Sequence, residues 1–460
     1  MPLAALRRRA PSRRPRRGYA AAALTLSAAL LTGLTGTADA AGARVDNPYV
    51  AARVYVNPQW SAHAAAEPGG AAVANQPTGV WLDSIASING KPGSMGLRAH
   101  LDEALKQGAG VIQLVLHNLP GRDCNRPQDS TGELGPTEIA RYRTDYVDPI
   151  AGILGDPAYA GLRIVTIVEY NALANVIPGV PAATPECEVM RANGNYVTGI
   201  GYALARFGAL PNVYSYLDIG QHGQLGRSWD GSISSSVVQP FYRAATASGS
   251  TVGNVQGFIA NTADYSVLHE EYYTVNDRIA GVSVRQSRWV DGNAFIDELP
   301  FVQGFRNLAI ASGFKSTIGM LVDTSRNGWG GPNRPTRSGP ATTVDAYVDG
   351  SRLDRRISIA NWCNQSGAGL GRRPVAVPEA GVHAYVWAKP PGESDGASSG
   401  SPGSTSPNRM CDPTGSSPGG QLGSSGALPG GPAAGEWFSG EFQQLLRNAY
   451  PPLFVLSEHS

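Results

Sequence analysis

The chain has 460 residues, 16% of them charged, and its 37 Lys and Arg against 36 Asp and Glu leave a formal net charge of +1. So even a balance argues against a nucleic-acid or membrane-surface partner and suits an uncharged substrate such as a carbohydrate.

At the N-terminus, Arg7, Arg8, Arg9, Arg13, Arg14, Arg16 and Arg17 precede an apolar run, Ala20 to Leu34, followed by Ala38-Asp39-Ala40. A basic start, a short apolar stretch and a small-residue cleavage site mark a secretory signal over residues 1–40. The stretch falls short of the ~20 apolar residues of a membrane span, and no later one approaches that length. Export of a soluble, extracellular chain from about Ala41 is therefore expected. Arg16-Arg17-Gly18-Tyr19 resembles a twin-arginine export signal, although Arg-rich starts make such pairs by chance. The length remaining suits either two ordinary domains or one α/β barrel with long loops.

Helical spacing of apolar residues is found over Leu97 to Gln107, Ile139 to Leu154 and Asn195 to Phe207. Between and after these lie strand-like runs at 110–116, 162–168, 213–217, 257–260, 281–284, 318–322 and 384–387. Near-continuous apolar strands alternating with helices predict a parallel sheet covered on both faces, and about seven of them predict a barrel. Residues 389–436 are the longest Gly/Pro/Ser-rich segment. Cys411 lies inside it and Trp437-Phe438 with a helical pattern follows, so it reads as a pinned loop and not a tether. Residues 41–460 then form a single domain, with no separate carbohydrate-binding module.

The four cysteines, Cys124, Cys187, Cys363 and Cys411, all follow the signal, where an even count reads as two disulfides. Three pairings are possible. Cys124–Cys187 with Cys363–Cys411 is the expected one, because each bridge would close a long loop over one end of a barrel. A zinc site is the rival reading, but no Cys-x-x-Cys or clustered His accompanies these residues. No metal and no cofactor is implied.

Asp123, Asn171, Asp218, Asp323 and Asp395 each follow a predicted strand, and parallel barrels build their sites at the C-terminal strand ends. Splitting an acetal needs a proton donor at the leaving oxygen and a carboxylate that activates water or attacks, so paired acids suit a glycosidase. Asp123, Asp218 and Asp395 are the candidates, against the bland reading of each as a cap or turn residue. Trp81, Trp329 and Trp362 stand in loop or Gly-rich contexts apt for stacking on sugar faces, whereas Trp387 inside a strand reads as core.

Long motifs carry a resemblance at this point. Asn57-Pro58-Gln59-Trp60, Val80-Trp81-Leu82-Asp83, Asn118-Leu119-Pro120-Gly121-Arg122-Asp123-Cys124, Asp323-Thr324-Ser325-Arg326-Asn327-Gly328-Trp329, Asn361-Trp362-Cys363-Asn364 and Trp387-Ala388-Lys389-Pro390-Pro391-Gly392-Glu393-Ser394-Asp395-Gly396 closely resemble glycoside hydrolase family 6, particularly its bacterial exo-acting cellobiohydrolases. The resemblance implies a distorted seven-stranded parallel barrel, hydrolysis of β-1,4-glucan with inversion, and loops that roof a groove or tunnel, with 389–436 as a candidate roof. It also supports the two disulfides, a cellulose or cello-oligosaccharide partner and a monomer.

Position by position, it makes Asp395 the base, Asp123 the aspartate that supports the acid and a water chain, and Asp218 another active-centre aspartate. Lys389, Glu393, Trp81, Asp83 and Trp362 match sugar-binding positions. The chain departs from the family at the proton donor, an Asp in a Glu-x-Asp-Ser-Leu context. Here the stretch reads Glu169-Tyr170-Asn171-Ala172-Leu173-Ala174-Asn175. A carboxamide keeps the shape of a protonated acid but has no proton to release. His117 stands where the family has Tyr, Gln221 where it has His, Gln224 where it has a stacking Trp, and Asp264 where it often has Asn. Three readings follow: a glucanase with weak or rerouted proton donation, a non-catalytic glucan binder, and an enzyme for a different glycan.

Overall fold

The computed structural model describes residues 44–126, 132–178, 184–226, 233–398, 408–414 and 424–453. The signal-like stretch 1–40 and parts of the 389–436 segment lie outside them. The strands are β1 (Val80–Leu82), β2 (Val111–Leu116), β3 (Arg163–Val168), β4 (Val213–Asp218), β5 (Val255–Ala260), β6 (Arg278–Ile279), β7 (Val282–Ser283), β8 (Gly319–Asp323), β9 (Val375–Ala376) and β10 (Val382–Val386). Eight of them form one sheet in the order β1-β2-β3-β4-β5-β8-β10-β9. All neighbours from β1 to β10 pair in parallel, and only β9 joins antiparallel to β10.

The side-chain period of two divides each strand between two cores. Val111 and Val115 of β2 turn inward to meet Val165, Ile167, Tyr216, Ile259 and Leu321. Ile112, Leu114 and Leu116 turn outward under helices Leu97–Lys106, Asp148–Leu154 and Asn195–Gly208. Each such side chain contributes about 1.5–3 kcal/mol by burial, so the strands need little intrinsic propensity beyond their Val and Ile content. Gly257 marks a close approach, since a Cβ there would collide with the Gly319 carbonyl oxygen on the next strand.

The sheet curls into a distorted half-barrel. Between β1 and β10 a single backbone bond, Gly79 N–H to the Trp387 carbonyl at 2.9 Å, begins to close the ring. The indole N–H of Trp81 crosses the same seam to the Ala388 carbonyl, also at 2.9 Å.

The parallel register sets the strand ends level. Leu116 pairs with Val168, Val168 with Leu217, Asp218 with Ile259, Ala260 with Val322, and Asp323 with Val386. Residues just after these pairs therefore emerge at one mouth.

The α/β half-barrel agrees with the expectation from sequence, with two corrections. The run 281–284 is not a barrel strand: Val282–Ser283 pairs only with Arg278–Ile279 in a separate hairpin, because Val282 is exposed and has no sheet face to cover. β5 therefore pairs directly with β8, and the seventh parallel strand is the short β1 at the opposite edge, beside β2. The helical reading of 139–154 is correct in span, but its middle turn, Tyr142–Val147, is a π-helix. Both sequence-local disulfides form, with Cα–Cα distances of 4.8 Å for Cys124–Cys187 and 5.1 Å for Cys363–Cys411. In the described parts of the 389–436 segment, Ser394 and Gly435–Glu436 exchange backbone bonds, and Ser398 and Ser425 are buried, as in a packed loop. Among the described residues no helix is long and apolar enough to cross a membrane.

Candidate active site

The loops after β2 and β3 are locked together by Glu169. Its carboxylate accepts the N–H groups of Asn118 and Leu119 at 2.9 and 3.0 Å and the Tyr142 hydroxyl at 2.8 Å. Burial nevertheless pushes this carboxyl above the usual range. Glu169 and Asn171, two residues apart, both hold left-handed backbone, with φ of 57° and 53°, as does Asp123 at 55°. Asn and Asp enter that region readily, whereas Glu does so at a cost that its three hydrogen bonds offset. The disulfide at Cys124 fixes the residue after Asp123.

These constraints bring Asn171 against Asp123. The Asn171 amide donates to Asp123 Oδ1 at 2.7 Å and to Asn125 Oδ1 at 3.1 Å, while its own oxygen accepts from the Asn175 amide at 2.9 Å. An ionised Asp123 is purely an acceptor, so the group facing it must be a donor. An amide meets that need permanently and a protonated carboxyl would meet it only while it kept its proton. His117 Nε2 approaches the other Asp123 oxygen at 3.1 Å. Burial pushes the Asp123 carboxyl up, but His117, Arg126 and Arg122 hold it well below the usual range. The Asn171 N–H and the Gly220 N–H both bind Asp218 Oδ1, at 3.2 and 3.1 Å. Burial pushes Asp218 up to about 6.

Across the mouth, Asp395 follows β10 in the loop that starts at Lys389. Its Oδ2 is bound by Arg326 at 2.7 Å, the Tyr265 hydroxyl at 3.0 Å and the Asn364 N–H at 2.9 Å, and Lys389 Nζ lies 3.5 Å from Oδ1. Burial opposes ionisation, but Arg326 and Lys389 hold this carboxyl below the usual range. Such a group remains a carboxylate over ordinary pH, as a base that activates water must. Burial pushes the nearby Glu393 up to about 7 despite Lys389.

A continuous set of contacts joins the two clusters. Lys389 Nζ stands 5.7 Å from the Trp81 ring centroid, and the Trp81 ring meets those of His117 and Tyr170 edge to face at 6.0 and 5.6 Å. His117 then reaches Asp123. On the opposite wall, Asp264 pairs with Arg356 at 2.6 Å, and Arg356 also binds Ser266, whose hydroxyl donates to Gln221 at 2.6 Å. Gln224 donates to Asn175 at 2.8 Å, so it belongs to the amide network around Asn171.

Asp123, Asn171, Asp218, His117, Gln221, Gln224, Asp264, Trp81, Trp362, Lys389, Glu393 and Asp395 are thus brought to one mouth. Trp329 is not. It is 1% exposed, packs among Trp60, Trp387 and Leu370, and donates its indole N–H to the Tyr265 carbonyl at 2.6 Å, so its face is unavailable to a sugar. Its Gly-rich surroundings admit close backbone packing and not a ligand: a Cβ at Gly328 would collide with the Leu370 carbonyl. Asp83 sits at the rim, paired with Lys91 at 2.9 Å. Asp323 is a strand-end anchor that accepts the N–H groups of Ala263, Ser325 and Lys389. Among the described residues no group of three or more His, Cys, Asp or Glu could hold a metal ion.

Sequence reasoning missed Tyr265, Arg326 and Glu441. Arg326 lay within a quoted motif. Glu441 gave a sharper signal, a charge on the face of helix Ser439–Arg447 that also carries Phe442, Leu445 and Leu446.

Comparison with known proteins gives this geometry its relatives. Exoglucanase A of Cellulomonas fimi is 42% identical over 446 residues, which cover 92% of this chain and 50% of that enzyme. The chain therefore spans about half the length of that relative. The catalytic domain of Cellulomonas fimi Cel6B superposes with a TM-score of 0.84 at 40% identity, over 91% of this chain and 98% of that one. A cellobiohydrolase Cel6A variant from Humicola insolens, solved in complex with methyl-tetrathio-alpha-d-cellopentoside, gives 0.66 at 25% identity over 89% and 100%. The family described as Glycosyl hydrolases family 6 matches residues 42–449, and the chain belongs to that family.

Proposed function

We propose that this protein is a secreted, monomeric glucanase acting on β-1,4-linked glucose chains in cellulose. In this reading it acts from a chain end, releases cellobiose and inverts the anomeric centre. The exoglucanase relative and the cello-oligosaccharide bound by the Humicola insolens enzyme support the substrate class. Asp395 serves as base, deprotonating the water that attacks the anomeric carbon. Lys389, Glu393, Trp81 and Trp362 hold the sugars, and Asp123 with His117 orders the water chain on the leaving-group side.

The observation that supports the reading is a firmly held carboxylate, Asp395, together with an amide, Asn171, at the position where the family resemblance expects the proton donor. Arg326, Tyr265 and Asn364 hold Asp395 as a carboxylate, while Asn171 binds Asp123 without a proton to give. Bond cleavage then depends on a proton rerouted from His117 or water, because Asp123 is itself held as a carboxylate. General acid catalysis contributes about 10²–10⁴-fold, so turnover on natural linkages is slow. The second reading, a glucan binder without turnover, is favoured by the same amide and by its ties to Asn125 and Asn175.

The test compares wild type with Asn171→Asp on cellohexaose and on a cellobiosyl fluoride, whose leaving group needs little protonation. Cellohexaose cleavage should rise at least about tenfold and fluoride hydrolysis should change less. Equal effects on both substrates would remove Asn171 from the donor position. Micromolar binding of cellohexaose without turnover of either substrate would favour the binder.

A further inference from the structure

Trp362 stands two residues before Asn364, whose N–H holds Asp395, so it belongs to the base side of the groove. It packs against the Cys363, Met410 and Cys411 cluster. The face of its ring is covered: the guanidinium carbon of Arg126 lies 4.0 Å from the ring centroid. Arg126 comes from the opposite side, three residues after Asp123 in the loop pinned by Cys124. Burial lowers its affinity for its proton, but neighbouring Tyr170, Asp123 and Asp264 more than restore it, so it is a charged group with acidic neighbours on the acid side. Arg126 therefore crosses the groove between the Asp123–Asn171 pair and the loop that holds Asp395.

A guanidinium and the C–H face of a glucose ring both stack on indole, and 4.0 Å leaves no room for one between the other and the ring. We propose that Arg126 is a specificity-determining residue that occupies the Trp362 face in the free protein, so that a glucan chain fills this stretch of the groove only by displacing it. The proposal rests on the glucan reading above. Gln224, engaged with Asn175, offers no aromatic surface that would compensate, so the displacement bears directly on affinity.

The experiment is calorimetric titration of the whole protein with a thio-linked cellopentaose, which resists hydrolysis, so that turnover does not enter. Wild type, Arg126→Ala, Arg126→Lys, Trp362→Ala and the Arg126→Ala/Trp362→Ala double variant are compared, each first checked for an unchanged melting curve. Arg126→Ala should tighten Kd by about threefold to thirtyfold, the range of a cation–π contact, with Arg126→Lys in between. In the Trp362→Ala background the same change should have no such effect, because the coupling runs through the ring. Unchanged or weaker binding by Arg126→Ala would overturn the proposal and make Arg126 a sugar-binding donor. If wild type and all variants fail to bind, the glucan reading itself falls, an outcome distinct from the first.

Discussion

Glu441 and Asp395 share the same two donors: Arg326 Nη1 lies 2.7 Å from Asp395 Oδ2 and 3.2 Å from Glu441 Oε1, and the Tyr265 hydroxyl lies 3.0 and 3.4 Å from the same oxygens. Both carboxyls are nearly inaccessible, at 7% and 1% side-chain exposure. Two buried acids beside one guanidinium cannot ionise equally, and the proton goes to the one with fewer donors. Asp395 has the Asn364 N–H and Lys389 as well, so Asp395 is the carboxylate and burial pushes Glu441 up to about 7.

This division makes stability depend on pH. Glu441 is raised above its unfolded value, so the folded state binds more protons between about pH 4.5 and about 7. Its contribution is fully present below the lower value and is lost as pH rises through the upper one. Glu441→Gln removes the titration. Urea midpoints of wild type should fall between pH 5 and pH 7.5 by more than those of the variant. Equal falls in both proteins would show that Glu441 ionises without cost.

Asp395→Ala should abolish catalysis on cellohexaose and on a glycosyl fluoride alike, by at least about 10²-fold, because the base acts whatever the leaving group. Added azide, a small nucleophile that needs no deprotonation, should restore fluoride consumption and give a glycosyl azide of inverted configuration. An azide product of retained configuration, identified by NMR, would exclude direct displacement at the anomeric carbon.

The half-barrel and most of its mouth were legible because near-continuous Val, Ile and Leu runs leave a buried parallel strand as the only economical structure, and acids after such runs fall at one end. The legible part stopped where burial depends on partners distant in sequence. Val282–Ser283 has strand composition but no sheet to cover it. Val80–Leu82 has only three residues, too few for a pattern, and is recruited by β2. The shared donor at Asp395 joins Arg326 to Glu441 across 115 positions, a pairing that only the closed fold creates.

Trp329 illustrates the same limit and gives a direct check. Its exposed-looking Asn-Gly-Trp-Gly-Gly setting encloses a core residue, whereas Trp81 lines the mouth. Trp329→Ala should cost about 3–5 kcal/mol of folding stability, seen as a lowered denaturation midpoint. Trp81→Ala should cost much less stability and weaken cello-oligosaccharide binding. A Trp329→Ala protein with a wild-type midpoint would place that ring outside the core.

The Asn171→Asp variant carries a second consequence besides the gain in activity. Its new carboxyl would stand where the amide now meets Asp123 Oδ1 at 2.7 Å. Asp123 is held below the usual range by His117, Arg126 and Arg122 against the pull of burial, so the new group is the one that keeps the proton. A carboxyl raised in the folded state stabilises below its unfolded value, and that stability is lost as pH rises through the folded value. The variant should therefore match wild type in melting temperature near pH 4.5 and fall below it by pH 8. Its cellohexaose activity should decline over the same rise, as the shared proton leaves. A melting difference from wild type that stays constant between those pH values would mean that the introduced carboxyl does not share a proton with Asp123, and the donor geometry assigned to position 171 would have to be abandoned.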